Sequence, residues 1–280
     1  MNEITNVVSC EWLNEHLNHQ DLVILDATIP KVGGILPPET LNQVRIPGAR
    51  YFHMKGSFTD LENELPNTMP SPSQFTEGVQ SLGISNESIV IIYDGHGVYS
   101  SPRAWYMFLT MGHENVAVLD GGLPAWIKNG YPIEDKVADQ TEKKQFNANF
   151  QSHNICDRDE VNSLRNNKEY LILDARSEGR FKGTSPEPRK DLRGGHIPGS
   201  GNLPYTKIIR DGLLLPKNEM AQLYDQLNPD RRKLIFSCGS GITACVIALG
   251  AAIAGHPVEK IYDGSWSDWG RPSDYPVARG

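Results

Sequence analysis

One short stretch, Cys238-Gly239-Ser240-Gly241-Ile242-Thr243-Ala244, concentrates the residues best able to do covalent chemistry. It follows the apolar run Leu234-Ile235-Phe236-Ser237 and leads into a second one, Ala244 to Ala254. Its two glycines allow a tight curl in which successive backbone N–H groups point inward. A helix starting directly afterwards adds its positive end. Such a setting favours the thiolate of Cys238, the form of a cysteine that acts as a nucleophile. No lysine, arginine or histidine lies in the loop, so the amides must stabilise that charge unless the fold brings a cation from elsewhere. Ser240 carries a hydroxyl that could pass on a proton or merely satisfy backbone groups. Thr243 stands where a helix cap is expected, and is assigned to loop geometry. The bland alternative for a free cysteine is a small buried apolar residue. That description suits Cys245, inside the apolar run. Cys10 and Cys156 sit in polar surroundings and are given no role.

The elements around this loop occur twice. Leu22-Val23-Ile24-Leu25-Asp26-Ala27 is matched by Leu171-Ile172-Leu173-Asp174-Ala175, and Ile46-Pro47-Gly48-Ala49 by Ile197-Pro198-Gly199-Ser200. Gly112-His113 is matched by Gly255-His256, and Leu119-Asp120-Gly121-Gly122 with Trp126 by Tyr262-Asp263-Gly264-Ser265 with Trp269. Order and spacing both persist at offsets of 143 to 151 residues, the mark of a duplicated domain. The expected organisation is a domain over 1–136, a polar linker over 137–151 and a second domain over 152–280. Within each copy, short runs rich in β-branched residues read as buried parallel strands, and Pro102–Met111 and Thr243–Ala254 read as helices. The alternation predicts two α/β domains, each a central parallel sheet flanked by helices. Ligands in such sheets gather at the carboxyl ends of strands, which is where Cys238 falls. The equivalent stretch of the first copy, Asp94-Gly95-His96-Gly97, has no cysteine, so one copy is expected to be active and the other to be scaffold.

Composition bounds the partners. The 280 residues carry 34 acidic and 27 basic side chains, a formal charge of −7, which argues against a general nucleic-acid binder. No apolar stretch approaches the ~20 residues of a membrane span, and the start lacks the pattern of a secretory signal. Four cysteines without a CxxC pair predict neither a disulfide framework nor a zinc site; a reducing cytoplasm fits. His16 and His19 have no third ligand nearby, so no metal is expected.

The CGSGxTA loop, the repeated IPG and the DGG/DGS-x-x-x-W endings together resemble the tandem-domain rhodaneses, and within them the 3-mercaptopyruvate sulfurtransferase group. The resemblance covers essentially the whole chain. It implies two rhodanese-like domains, the first inactive, and a cysteine that alternates between thiolate and persulfide without a bound cofactor. It implies that 3-mercaptopyruvate, or alternatively thiosulfate, gives up a sulfur to Cys238, and that a thiol, thioredoxin or cyanide removes it. A non-catalytic sulfur carrier or interaction module is the alternative from another class. The resemblance makes Cys238 and Ser240 catalytic, places Gly239, Gly241, Ile242 and Thr243 around the substrate, and makes Tyr99 a cleft-lining residue.

Arg180 and Arg189, in Gly179-Arg180-Phe181 and Glu187-Pro188-Arg189, match arginines that bind the carboxylate and keto end of the donor in the mercaptopyruvate group. A guanidinium fork suits a carboxylate. On the residues alone, two surface arginines paired with Glu178 or Glu187 are the favoured reading, and it is the resemblance that turns them into substrate ligands. Thiosulfate-specific members carry basic residues directly after the cysteine, where this chain has Gly239 and Ser240. A cysteine phosphatase would need an arginine at the end of the loop, where Ala244 stands. The chain departs from the resemblance at one point. Many members have a histidine before the first IPG, working with an upstream aspartate and the loop serine as a relay. Here Arg45 precedes Ile46, no aspartate lies between Val32 and Val44, and Arg45 is expected only to add positive field. His196, before the second IPG, is expected to be structural.

Overall fold

The computed structural model describes residues 4–136 and 141–280. It divides into two compact units, neither of them one unbroken stretch. The first takes in residues up to Asp60, then Met69–Gln151 and Asp211–Leu214; the second takes in Leu61–Thr68, Ser152–Arg210 and Leu215–Gly280. The expected contiguous halves therefore differ from the packed units at two short segments. Leu214 N–H donates to Asp120 Oδ1 at 2.9 Å in the first unit, and Arg271 Nη1 meets Glu64 Oε2 at 3.1 Å in the second.

In the first unit a five-stranded parallel sheet runs in the order Val7–Val8, Val116–Leu119, Ile89–Tyr93, Leu22–Asp26, Arg50–Tyr51. In the second the order is Ile155–Cys156, Val258–Tyr262, Lys233–Ser237, Tyr170–Asp174, Gly201–Asn202. The two orders are the same, strand for strand. The central strands are apolar on both faces because helices cover both sides of a parallel sheet. Ile89–Tyr93 is buried along its whole length.

The duplicated tryptophans are part of the same plan. Trp126 and Trp269 are fully buried, and each indole N–H donates to a proline carbonyl, Pro132 at 2.7 Å and Pro276 at 2.8 Å. A buried indole needs such a partner.

The helix Thr243–Ala254 is buried from Ala244 to Ala251, and Gly255 ends it in the left-handed conformation. Gly250 leaves room on that helix for Tyr224 and Met220; a Cβ there would lie 2.9 Å from the Tyr224 hydroxyl. Of the expected linker, residues 137–140 lie outside the described residues. Thr141–Gln151 runs along the first unit, with Phe146 buried against Phe75 and His113. Among the described residues no helix is long and apolar enough to cross a membrane.

Candidate active site

The loop at Cys238 leaves the strand Lys233–Ser237 and enters the helix Thr243–Ala254. Cys238 is 2% exposed, while Gly239 and Ser240 are half-buried at the loop's rim. The loop is fastened from behind. Cys238 N–H donates to Ser265 Oγ at 3.1 Å, and Cys238 C=O accepts from Trp266 N–H at 3.0 Å. Gly239 C=O accepts from Ser267 N–H at 2.9 Å and from the Ser267 hydroxyl. Gly241 takes φ +79°, the left-handed turn that curls the chain. The N–H groups of Gly239, Ser240 and Ile242 have no hydrogen-bond partner among the described residues. Unpaired amides on one curl form a cradle for negative charge. The Cys238 amide is not part of it. Thr243 is the first helical residue, and Ile242 occupies the cap position without a side-chain bond, so the expected threonine cap does not form.

Two guanidinium groups reach this loop from outside it. A Cβ built on Gly239 would lie 3.1 Å from Arg180 Nη2, so the guanidinium packs close against the loop where a side chain would crowd it. Arg180 Nη2 donates to Glu187 Oε2 at 2.6 Å, and Nε to the same carboxylate at 3.2 Å. Glu187 also accepts from Arg176 Nη1 at 2.8 Å. Arg176 is itself buried, bonded to Asp174 and to Gly195 C=O, with its plane 4.1 Å from the Trp266 ring centroid. Asp174, Arg176, Glu187 and Arg180 thus alternate in sign along one buried chain of contacts, which holds Arg180 in place.

Arg189 differs. Its Nη1 donates to Ser267 Oγ at 2.6 Å, and no carboxylate pairs with it among the described residues. Its charge remains available to an incoming anion.

The first unit closes its equivalent loop another way. Asp94 follows the strand Ile89–Tyr93 as Cys238 follows Lys233–Ser237, and Leu123 N–H donates to Asp94 C=O as Trp266 does to Cys238. Asp94 Oδ2 accepts from the N–H groups of Tyr99, Ser100 and Ser101 at 2.8, 2.9 and 2.9 Å, and from Ser101 Oγ at 2.7 Å. Here the loop's own carboxylate gathers the amides at the end of the loop and the start of the helix Ser101–Thr110.

A rhodanese-like domain model matches residues 9–129 and again 157–271. The chain belongs to the rhodanese family. It is 37% identical, over 97% of its length and 77% of the relative's, to thiosulfate/3-mercaptopyruvate sulfurtransferase 1, mitochondrial, of Arabidopsis thaliana. It is 35% identical to 3-mercaptopyruvate sulfurtransferase of Escherichia coli K12, over 96% of each chain. Among solved structures, SseA from Escherichia coli, described under the rhodanese fold and catalytic mechanism of 3-mercaptopyruvate sulfotransferases, superposes with a TM-score of 0.83 at 33% identity. That match covers 94% of this chain and 99% of the other.

The remaining expected residues of this rhodanese are placed as follows. Tyr99 lies in the first unit, 5% exposed, beneath Lys31 Nζ and edge-on to His96. Arg45 Nε pairs with Glu134 Oε1 at 2.8 Å, so its charge is compensated locally, contrary to the expected free positive field. His196 stacks on Phe181 at 3.8 Å and its Nδ1 lies 2.9 Å from Phe181 C=O. Cys10 and Cys156 are buried rather than in polar surroundings. Burial, then the Asp120 charge, pushes the Cys10 thiol up to about 11, and burial pushes Cys156 higher still. Cys245 is buried, its thiol donating to Gly241 C=O at 3.3 Å. All four cysteines are free, and no cluster able to hold a metal occurs among the described residues.

Sequence reasoning missed Ser265, Ser267, Arg176 and Asn67 as parts of the site. Ser265 could have been noticed, because it breaks the DGG of the first copy at the residue that must sit in a left-handed turn. Gly122 has φ +53° and Ser265 φ +49°.

Proposed function

We propose that this protein is a sulfurtransferase that takes the sulfur of 3-mercaptopyruvate through a persulfide on Cys238. The observation that carries the reading is the pairing of a cysteine on an open amide cradle with one arginine, Arg189, whose charge no carboxylate among the described residues pairs with. The donor's carboxylate binds the Arg189 guanidinium beside its Nη1 contact to Ser267. Arg180 has its Nε–Nη2 edge taken by Glu187, so it faces the keto oxygen as a single donor and a fixed positive charge.

The Cys238 thiolate attacks the donor sulfur. An S–S bond forms, the C–S bond breaks, and its electron pair passes to carbon as the enolate of pyruvate. The proton that began on the donor thiol ends on that carbon, with Ser240 as the relay: its hydroxyl protonates the enolate and is reprotonated from the thiol. The outer sulfur of the persulfide is left as an anion among the N–H groups of Gly239, Ser240 and Ile242. A thiol, thioredoxin or cyanide attacks it, the S–S bond breaks, and Cys238 regains its thiolate. The chain needs no cofactor beyond this covalent sulfur. Its free thiols suit a reducing compartment such as the cytoplasm.

Mass spectrometry after donor treatment is expected to show about 32 Da added at Cys238, one sulfur per chain. Steady-state kinetics are expected to be ping-pong. Turnover that survives Cys238→Ser, or sulfur mapped to another cysteine, overturns the assignment. A higher kcat/KM for thiosulfate than for mercaptopyruvate would make thiosulfate the donor instead.

A further inference from the structure

The loop serine has a partner that does not titrate. Asn67 Nδ2 donates to Ser240 Oγ at 2.9 Å and lies 3.4 Å from Ser240 C=O. Asn67 belongs to the segment Leu61–Thr68, which packs in the same unit as Ser240. The segment is tied down three residues earlier, where Arg271 Nη2 donates to Glu64 C=O at 3.2 Å in addition to the Glu64 ion pair. Asn67 has φ +58°, a left-handed backbone that asparagine adopts at little cost. Both of its features, backbone and side-chain amide, therefore bear on where the amide points.

A serine hydroxyl has one proton to give and two lone pairs with which to accept. Since Asn67 donates to the oxygen, the serine proton must be directed elsewhere, and it has no acceptor among the described residues. An amide N–H can neither accept that proton nor carry it away. We infer that Asn67 is a positioning residue that fixes the direction of the Ser240 hydroxyl, pointing its proton at the bound donor, and that the proton is handed over within the site without a titrating relay. This rests on the reading of Ser240 as the proton carrier in the half-reaction that releases pyruvate.

The test separates direction from mere shape. Asn67→Asp keeps size and left-handed preference but accepts from the serine rather than donating to it, turning the proton away from the donor. Asn67→Gly keeps the backbone and removes the amide. The single-turnover rate of pyruvate release is expected to fall about tenfold or more with Asn67→Asp, as for loss of a general acid, and by less with Asn67→Gly. KM for mercaptopyruvate should stay within about twofold, because the amide directs a proton rather than binding substrate. Thiocyanate formation from preloaded persulfide and cyanide needs no enolate, and is expected to be unchanged. In a Ser240→Ala background neither substitution should have a further effect, since Asn67 acts only through that hydroxyl.

If Ser240→Ala itself leaves pyruvate release at the wild-type rate, the serine reading falls and this inference with it. If Ser240→Ala is slow while the Asn67 variants are fast, or their losses multiply with that of Ser240→Ala, the serine reading stands and the inference about Asn67 is overturned. Equal slowing of both half-reactions would assign Asn67 to loop shape alone and also overturn it.

Discussion

Ser265 holds the backbone of Cys238. Its Oγ accepts the Cys238 N–H at 3.1 Å and donates to Tyr262 C=O at 2.8 Å, from a residue with φ +49° that is wholly buried. A non-glycine residue in this conformation is strained by roughly 1–2 kcal/mol. The corresponding residue of the first unit is Gly122, at φ +53°, where a Cβ would lie 2.3 Å from Asp94 C=O. The second unit therefore tolerates a strained serine that the first has no room for.

Replacing Ser265 by glycine relieves that strain while losing hydrogen bonds worth about 1 kcal/mol each. Stability of Ser265→Gly is expected to stay within about 1 kcal/mol of the parent, whereas kcat/KM falls about tenfold as the cysteine's backbone is released. Ser265→Ala loses the same bonds without relief and should melt lower than Ser265→Gly. Denaturant melts and kinetics on the pair check this; a glycine variant of full activity removes any role for the serine.

The two arginines should separate in their effects. Arg189→Ala removes a charge that pairs with no carboxylate among the described residues, so thermal stability is expected to hold. KM for mercaptopyruvate should rise about tenfold or more, the loss of a charged hydrogen bond. Arg180→Ala should lower stability as well as kcat/KM, because Glu187, whose side chain is 2% exposed, loses one of its two cationic partners. An Arg189 variant with unchanged KM is the adverse result.

Asp94 should be a stability residue of the first unit. Asp94→Ala strips the acceptor from three buried amides and a hydroxyl, and is expected to cost about 3–5 kcal/mol. Sulfate, an anion that could settle on the vacated amides, should restore part of the loss. Calorimetry with and without sulfate decides, and a melt at the parent temperature speaks against the carboxylate as the loop's fastening.

Alkaline pH should weaken the fold through its buried thiols. The Cys10 thiol is raised from 9.0 to about 11, so the folded chain keeps a proton that the unfolded chain releases near 9. Its stabilising contribution is complete below pH 9 and is lost as pH rises through about 11. Melting temperature is expected to decline across that window, and less steeply in Cys10→Ala. At pH 8 alkylation of the native protein should spare Cys10 and Cys156. Early labelling at Cys10 contradicts the assignment.

Local sequence was enough for much of this. The runs at Ile89–Tyr93 and Leu234–Phe236 are apolar and buried throughout because they are covered on both faces, and that alone marks them as parallel strands. The loop at Cys238 was legible from its glycines and its place between a strand and a helix. What binds it to the rest was not. Glu187 joining Arg176 to Arg180, Ser267 joining Arg189 to Gly239, and Asn67 meeting Ser240 are contacts between residues remote in sequence, and no periodicity encodes them. The environments of Cys10 and Cys156 were misjudged for a related reason. Cys10 opens the helix Cys10–His16 on its buried side and Cys156 ends the edge strand Ile155–Cys156, so each thiol is buried while its polar sequence neighbours stay at the surface.

The contrast between the two cradles also sets a limit on how the silent half could regain chemistry. There the curl is gathered from within by the Asp94 side chain; in the other half it is gripped from its outer side by Ser265 and Ser267, which leaves the inner amides to a transient passenger. Exchanging Asp94 for cysteine would remove the inner tether without supplying the outer one, since Gly122 has no side chain and Pro124 no N–H to offer. Reawakening that half would need several coordinated changes, so a single-step reversal is a route that drift cannot easily take.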